Sequence, residues 1–273
     1  MPEGPEMRRA ADELAAILLR RKAQAVRFGL EPLRAYESIL TGRRITEVAC
    51  RGKAVLLRFG GGNTIYAHNQ LYGRWYVQPR GGRPRTNRQL RVCIDTREHS
   101  ALLYSASDIG IYDEDSLARH PYLAKLGPEV LDPHIDAGAI ERRLASRVFY
   151  RRSLAALYLD QSFLAGVGNY LRSEILFVAR IDPTLRALDL DRNDRRRLAR
   201  ASLAIPRRSY ETGGITNSPA NVRRLHAAGQ KRGKYRFWVF GSAGKPCQIC
   251  GSEIARIQLS GRRLYFCPVC QGY

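Results

Sequence analysis

Carboxylates are scarce in this chain: 25 Asp and Glu stand against 46 Lys and Arg in 273 residues, a formal charge of +21. No cluster of acids sits at a spacing that would seat a catalytic metal, which argues against a metal-dependent nuclease. Long apolar runs are also missing, and none approaches the roughly 20 residues that cross a bilayer. The N-terminus has acids and prolines where a secretory signal would need a basic and then an apolar region. No basic amphipathic helix with a bulky apolar face stands out, so a membrane surface is a poor partner. No internal repeat is visible. A soluble, intracellular protein is the expectation. Its 44% hydrophobic content can bury real cores, and its length suits two domains or one large one.

The cationic excess that remains points to a polyanion, with nucleic acid the leading candidate. The bases are overwhelmingly arginine, and Lys53 is the only lysine between Lys22 and Lys125. A lysine can give and take a proton as arginine cannot.

The chain opens Met1-Pro2-Glu3-Gly4-Pro5-Glu6. Pro5 suits a first helical position and Glu6 the positive end of a helix dipole. Met7, Ala10, Ala11, Leu14, Ile17 and Leu18 follow at helical spacing, and Arg20-Arg21-Lys22 closes the helix with cations. From about Val26 to Ala106 the pattern changes to short strands: AVLLRF (54–59), TIYA (64–67), RWYVQ (74–78), LRVCID (90–95) and ALLYSA (101–106). Glycine-rich turns at 60–63 and 81–84 separate them, so a sandwich or barrel with one leading helix is expected.

HPYLAKLGPEVLDP (120–133) holds three prolines and a glycine and reads as an interdomain connection. Helical patterns follow in AIERRLASRV, RRSLAALYL, NYLRSEILFVA and RRRLARASLAI. Between two of them, Ala165-Gly166-Val167-Gly168 makes a turn that lets helices pack closely. It either presents amides and Asn169 to a phosphate or forms an ordinary corner with Asn169 as N-cap. The Gly-, Asn- and Arg-rich stretch 213–234 reads as a mobile loop, and YRFWVF (235–240) as strand-like.

Cys247-x-x-Cys250 and Cys267-x-x-Cys270, with sixteen residues between, form the strongest local signal. Two such knuckles can hold four thiolates around one Zn²⁺, a closed shell that makes the metal structural. Two disulfides or simply reduced thiols are the alternatives, and an intracellular chain disfavours disulfides. IARIQLSGRRLYF (254–266) between the knuckles reads as a hairpin turning at Ser260-Gly261, with Arg262 and Arg263 beyond the turn, suited to phosphates or a groove. Cys50 and Cys93 lie in strand-like segments and read as core.

Taken in order, MPEGPEMRRAADEL, RGKAVL, HNQLYG, LLYSASDI, HPYLAKLGPEVLDP, LYLDQSFLAGVGNYLRSEIL and the cysteine pairs resemble the bacterial formamidopyrimidine-DNA glycosylase/endonuclease VIII family over nearly the whole chain, endonuclease VIII in particular. The resemblance implies an α+β multidomain fold. Its parts are an N-terminal β-sandwich with a leading catalytic helix (1–122), a linker (123–134), a helix-two-turn-helix domain (135–234, including loop 213–234) and a zinc finger (235–273). It implies a monomeric cytoplasmic, nucleoid-associated enzyme of base excision repair that acts on damaged double-stranded DNA. It requires one structural zinc and no catalytic metal.

In that family the initiator methionine is removed and the proline amine is the nucleophile, which maps onto Pro2. Glu3 matches the acid/base carboxylate and Lys53 the proton-transferring lysine. Glu6 matches a second acid near the site, beside its local role as a helix-start charge. Gln70, Leu71 and Tyr72 match the loop that fills the void left by a flipped base. Lys125 and Asn169 match backbone-phosphate contacts, and Arg262 the hairpin arginine that assists the final elimination, while Arg263 has no assigned role. Gly4 and QLYG favour oxidised pyrimidines such as thymine glycol and dihydrouracil. The length of 213–234 keeps open an oxidised-purine enzyme of the same family, and a non-catalytic zinc-ribbon DNA binder is the alternative from another class.

Overall fold

The structure is a computed structural model that describes residues 2–273, and its chain divides into two compact units, Met1–Lys125 and Leu126–Tyr273. Met1, whose removal the resemblance implies, lies outside the described residues. No helix among the described residues is long and apolar enough to cross a membrane.

In the first unit, helix α1 (Gly4–Leu18) buries Met7, Ala11, Leu14 and Leu18, the i, i+4, i+7, i+11 stripe of one helical face. Its start is a capping box between Glu3 and Glu6 with proline in the first turn. The strands β1 (Ala25–Phe28), β2 (Ile45–Arg51), β3 (Ala54–Phe59), β4 (Thr64–His68), β5 (Arg74–Pro79), β6 (Leu90–Asp95), β7 (His99–Tyr104) and β8 (Asp108–Tyr112) form two antiparallel sheets. Their orders are β1-β6-β7-β5 and β2-β3-β4-β8. The short helix α2 (Glu37–Leu40) joins β1 to β2, and α3 (Glu114–Ala118) follows β8. One core holds the two sheets and α1 together: Val26, Val92 and Leu103 from one sheet, Val55, Leu57 and Ile65 from the other, and Leu14 from the helix. The sandwich is thus realised rather than a closed barrel. Strands β1, β2 and β8 were not individually expected, since each carries polar residues that blur its pattern.

The second unit is helical and ends in a zinc-finger-like hairpin. It contains α4 (Ala137–Ala145), α5 (Leu154–Leu157), α6 (Asn169–Ala179), α7 (Arg192–Glu211), α8 (Pro219–Ala227) and α9 (Arg232–Tyr235). The hairpin pairs β9 (Ala255–Leu259) with β10 (Arg262–Phe266), followed by α10 (Pro268–Gln271). Leu264 and Phe266 of the hairpin join the core built by Ile140, Leu171, Ile175 and Leu198 of the helices. Within the expected connection, Gly127 and Val130 donate to Gln161 and Ala165 carbonyls at 2.9 and 3.1 Å. A Cβ on Gly127 would meet the Ser162 carbonyl oxygen at 2.2 Å, so only glycine fits.

Two local expectations fail. Residues 213–234 are not a bare loop: Ser218 caps α8 by accepting the Asn221 amide at 3.2 Å, and Pro219 occupies the first turn. YRFWVF forms no strand, because the Trp238, Val239 and Phe240 amides are consumed by the buried carboxylate of Glu174 at 2.8, 2.9 and 2.9 Å. A strand's ladder cannot form from amides that already have a partner.

Candidate active site

The head of α1 places Pro2 and Glu3 together. Glu3 is 2% exposed, and its backbone amide donates to Glu6 Oε2 at 3.1 Å. Glu6 is held from the other side by Arg9 at 3.3 Å. Pro2 and Glu6 line a cavity of about 340 Å³ with Asn69, Leu71, Tyr72 and Arg88. The helix start and the expected void-filling turn therefore share one cleft, although some sixty residues separate them in the chain.

That turn is strapped at several points. The Gly73 amide returns to the Asn69 carbonyl at 2.7 Å, and a Cβ on Gly73 would sit 2.6 Å from the same oxygen. Gln70 takes a left-handed backbone conformation (φ 49°), with its amide donating to His68 Nδ1 at 3.1 Å and its side-chain oxygen accepting from Ser107 Oγ at 2.9 Å. Arg88 donates to the Tyr72 carbonyl. The backbone is fixed while Leu71 and Tyr72 stay 54% and 68% exposed.

Lys53 lies on the Gly52 turn between β2 and β3, 8% exposed, with its amide donating to Tyr122 Oη at 2.9 Å. Beside it, burial pulls the His68 imidazole below its ordinary pKa, and the Lys53 charge adds to that, with Asp108 opposing. His68 is thus neutral with Nδ1 free to accept, as its bond to the Gln70 amide requires. Lys125 is exposed at the end of a short 3-10 turn, Leu123–Lys125.

In the second unit, Asn169 is the first residue of α6 and Gly168 is its N-cap, so Asn169 is not the cap. Its side-chain oxygen instead accepts from Arg172 at 2.7 Å. Gln161 shapes the preceding turn, receiving the Gly166 amide at 3.1 Å and donating to the Val167 carbonyl at 2.8 Å. Arg262 and Arg263 are exposed just past a two-residue turn in which Ser260 and Gly261 have φ of 53° and 70°, the geometry of a tight hairpin. The Arg263 carbonyl accepts from Arg172 at 3.3 Å, joining the hairpin to α6.

The four cysteine sulfurs all lie within 4.8 Å of one another, with Cys250 to Cys267 at 3.4 Å and Cys247 to Cys270 at 3.9 Å. Zn–S bonds of about 2.3 Å put tetrahedral vertices about 3.8 Å apart, so the set fits zinc. It is the wrong separation for disulfides, whose sulfurs touch near ~2 Å.

Residues 1–107 match the formamidopyrimidine-DNA glycosylase N-terminal domain, 126–220 its H2TH domain, and 244–272 the zinc finger found in FPG and IleRS. The chain belongs to the formamidopyrimidine-DNA glycosylase family. Endonuclease 8 of Klebsiella pneumoniae and that of Escherichia coli are each 45% identical to this glycosylase-family chain over 271 residues, 99% of it and 100% of the relative. Among solved structures, the Lactococcus lactis Fpg (MutM) complex with DNA containing an oxidised pyrimidine superposes with a TM-score of 0.81 at 23% identity, covering 100% of both chains. The complex of that protein with FAPY-dG DNA gives 0.80 at 21%, covering 98% and 99%. These structures establish the fold. The activity of this family member is DNA glycosylase/AP lyase, in base excision repair.

His68, Arg88, Ser107 and the Glu174 anchor were not singled out from the sequence. HNQLYG contained His68, but a histidine in a strand says nothing about which amide it receives.

Proposed function

We propose that this glycosylase/AP lyase excises oxidised pyrimidines through a covalent intermediate on Pro2. The observation that carries the reading is the shared cleft, where Pro2 lies with the strapped, exposed pair Leu71 and Tyr72. With Met1 removed, Pro2 presents a secondary amine whose pKa, near ~8 for an α-amino group, leaves a usable unprotonated fraction at neutral pH. Its lone pair attacks C1′ of the damaged nucleotide as the C1′–base bond breaks, and Glu3 delivers a proton toward the sugar or the departing base. The C1′–O4′ bond then opens as O4′ takes up a proton and the amine gives up its own, and the resulting iminium acidifies C2′–H. Loss of that proton expels the 3′ phosphate, and a second elimination expels the 5′ phosphate, with Lys53 moving protons and Arg262 supporting the last departure. The intermediate then hydrolyses and frees Pro2.

Leu71, flanked by Gln70 and Tyr72, fills the stack vacated by the flipped nucleotide. Asn169 and Lys125 hold phosphates. One zinc ion on Cys247, Cys250, Cys267 and Cys270 keeps the hairpin folded, and the chemistry needs no catalytic metal. The enzyme acts as a monomer in the cytoplasm, on the nucleoid. The 45% identity to endonuclease 8 proteins supports the pyrimidine preference.

Borohydride added to the protein and an abasic duplex tests the nucleophile: the adduct is expected on residue 2 of material lacking Met1, and an adduct on another residue rejects it. Single-turnover rates on thymine glycol and 8-oxoguanine duplexes test the preference, which a faster purine reaction overturns.

A further inference from the structure

Between Glu211 and Glu253 the chain carries seven Lys or Arg residues and no carboxylate. Five of them, Arg223, Arg224, Lys231, Arg232 and Lys234, are exposed on α8, α9 and the turn between. None forms an ion pair among the described residues. Arg224 bonds to Asn221 at 2.7 Å and Arg232 to the Gly213 carbonyl at 2.5 Å, while Arg223, Lys231 and Lys234 use no side-chain hydrogen bond there. Helix α8 buries none of its residues.

A nine-residue helix with no fully buried residue is marginal in water, and uncompensated like charges weaken it further. What holds it is a carboxamide cluster at its base. Asn217 is 1% exposed and donates to Gln248 Oε1 at 2.8 Å, and Asn221 donates to the same oxygen at 2.7 Å and to Asn217 at 3.0 Å. Gln248 Nε2 donates to the Phe237 carbonyl at 3.0 Å. Gln248 sits between Cys247 and Cys250, so the arm is rooted on a zinc knuckle. His226 and Tyr235, with ring centroids 6.3 Å apart, tie α8 to α9.

We propose that residues 219–235 form a phosphate-gripping arm for duplex DNA, additional to the contacts at Asn169 and Arg262, and that Gln248 makes its order depend on the zinc knuckle. The proposal rests on the DNA-repair reading above. Charge complementarity selects the occupant: five exposed cations on two short helices and their turn, with no acid among them, fit a continuous phosphate backbone.

Fluorescence anisotropy of the full-length protein with an undamaged duplex, over a range of salt, tests the arm. Each phosphate contact contributes about 0.9 to the slope of log affinity against log salt, so R223Q/K231Q/K234Q is expected to flatten the slope by between about two and three. R223K/K231R/K234R is expected to keep it. An unchanged slope in the glutamine variant overturns the arm, as does equal flattening in the charge-preserving one. Gln248→Ala with its zinc content intact is expected to speed hydrogen exchange across 219–235; unaltered protection there overturns the link to the knuckle. Borohydride trapping of the wild type, run alongside, separates the two readings: flattening of the slope without any trapped adduct keeps the arm and rejects the lyase assignment.

Discussion

Glu174 Oε1 accepts the Val239 amide at 2.9 Å, joining α6 to a segment 65 positions further along the chain. The same carboxyl takes the Phe240 and Trp238 amides and the Thr216 hydroxyl, and it is fully buried. Thr216 also reaches the Arg236 carbonyl at 3.2 Å, so its oxygen can receive a proton from a neutral Glu174 without losing its own donor bond. One side chain thus organises the passage from the helical core into the zinc-binding segment.

Glu174→Gln removes one acceptor that the Trp238 amide needs, and it is expected to destabilise the second unit by about 1–3 kcal/mol. Burial raises the Glu174 pKa above the ordinary glutamate value, although the bonds it accepts oppose the shift. The folded chain then holds a proton that the unfolded chain releases, so this group's contribution to stability falls as pH rises from the ordinary glutamate value through the raised one. Urea unfolding across that interval is expected to show a slope in the wild type that Glu174→Gln lacks; parallel profiles contradict the assignment.

Leu71→Ala and Tyr72→Ala remove exposed side chains and are expected to change stability by less than about 0.5 kcal/mol. Their effect is expected in the DNA complex. A 2-aminopurine placed beside an abasic analogue is expected to report loss of the wedge in Leu71→Ala while the melting temperature stays put. A large fall in melting temperature would show the pair to be structural instead.

Glu3→Gln keeps the side-chain size but cannot donate or accept a proton in the same way. Base excision from a thymine glycol duplex is expected to fall by about 10²–10⁴ in single turnover, with a smaller loss on a preformed abasic site, where the base has already gone. Equal losses on both substrates would place Glu3 in the elimination steps alone.

Cys267→Ser is expected to lose bound metal, measured by elemental analysis, and to loosen the cluster in which Trp238 packs near Cys247 and Cys267. In a Trp75→Phe background the emission of Trp238 is expected to shift to the red, while the sandwich keeps its circular dichroism signature. Retained metal would mean that three sulfurs suffice.

Periodicity and spacing are local properties, and where they act the sequence alone was decisive. The α1 stripe of Met7, Ala11, Leu14 and Leu18, the bounds of β3 and β6, the helix from Asn169 and the paired cysteines were all legible before any fold was known. Each depends on residues within one turn, one strand or one knuckle. The failures share the opposite cause. YRFWVF had the composition of a strand, but its amides belong to Glu174, and no local pattern discloses a partner more than sixty residues away. Stretch 213–234 looked like a loop because it is rich in Gly, Asn and Arg, and the Gln248 bond that orders α8 comes from outside it. The N-terminal motif named Pro2 and Glu3. Only the tertiary structure set Pro2 in one cleft with Leu71 and Tyr72, and only it showed His68 and Ser107 fixing that turn, because side chains from separate strands meet when two sheets close on one core.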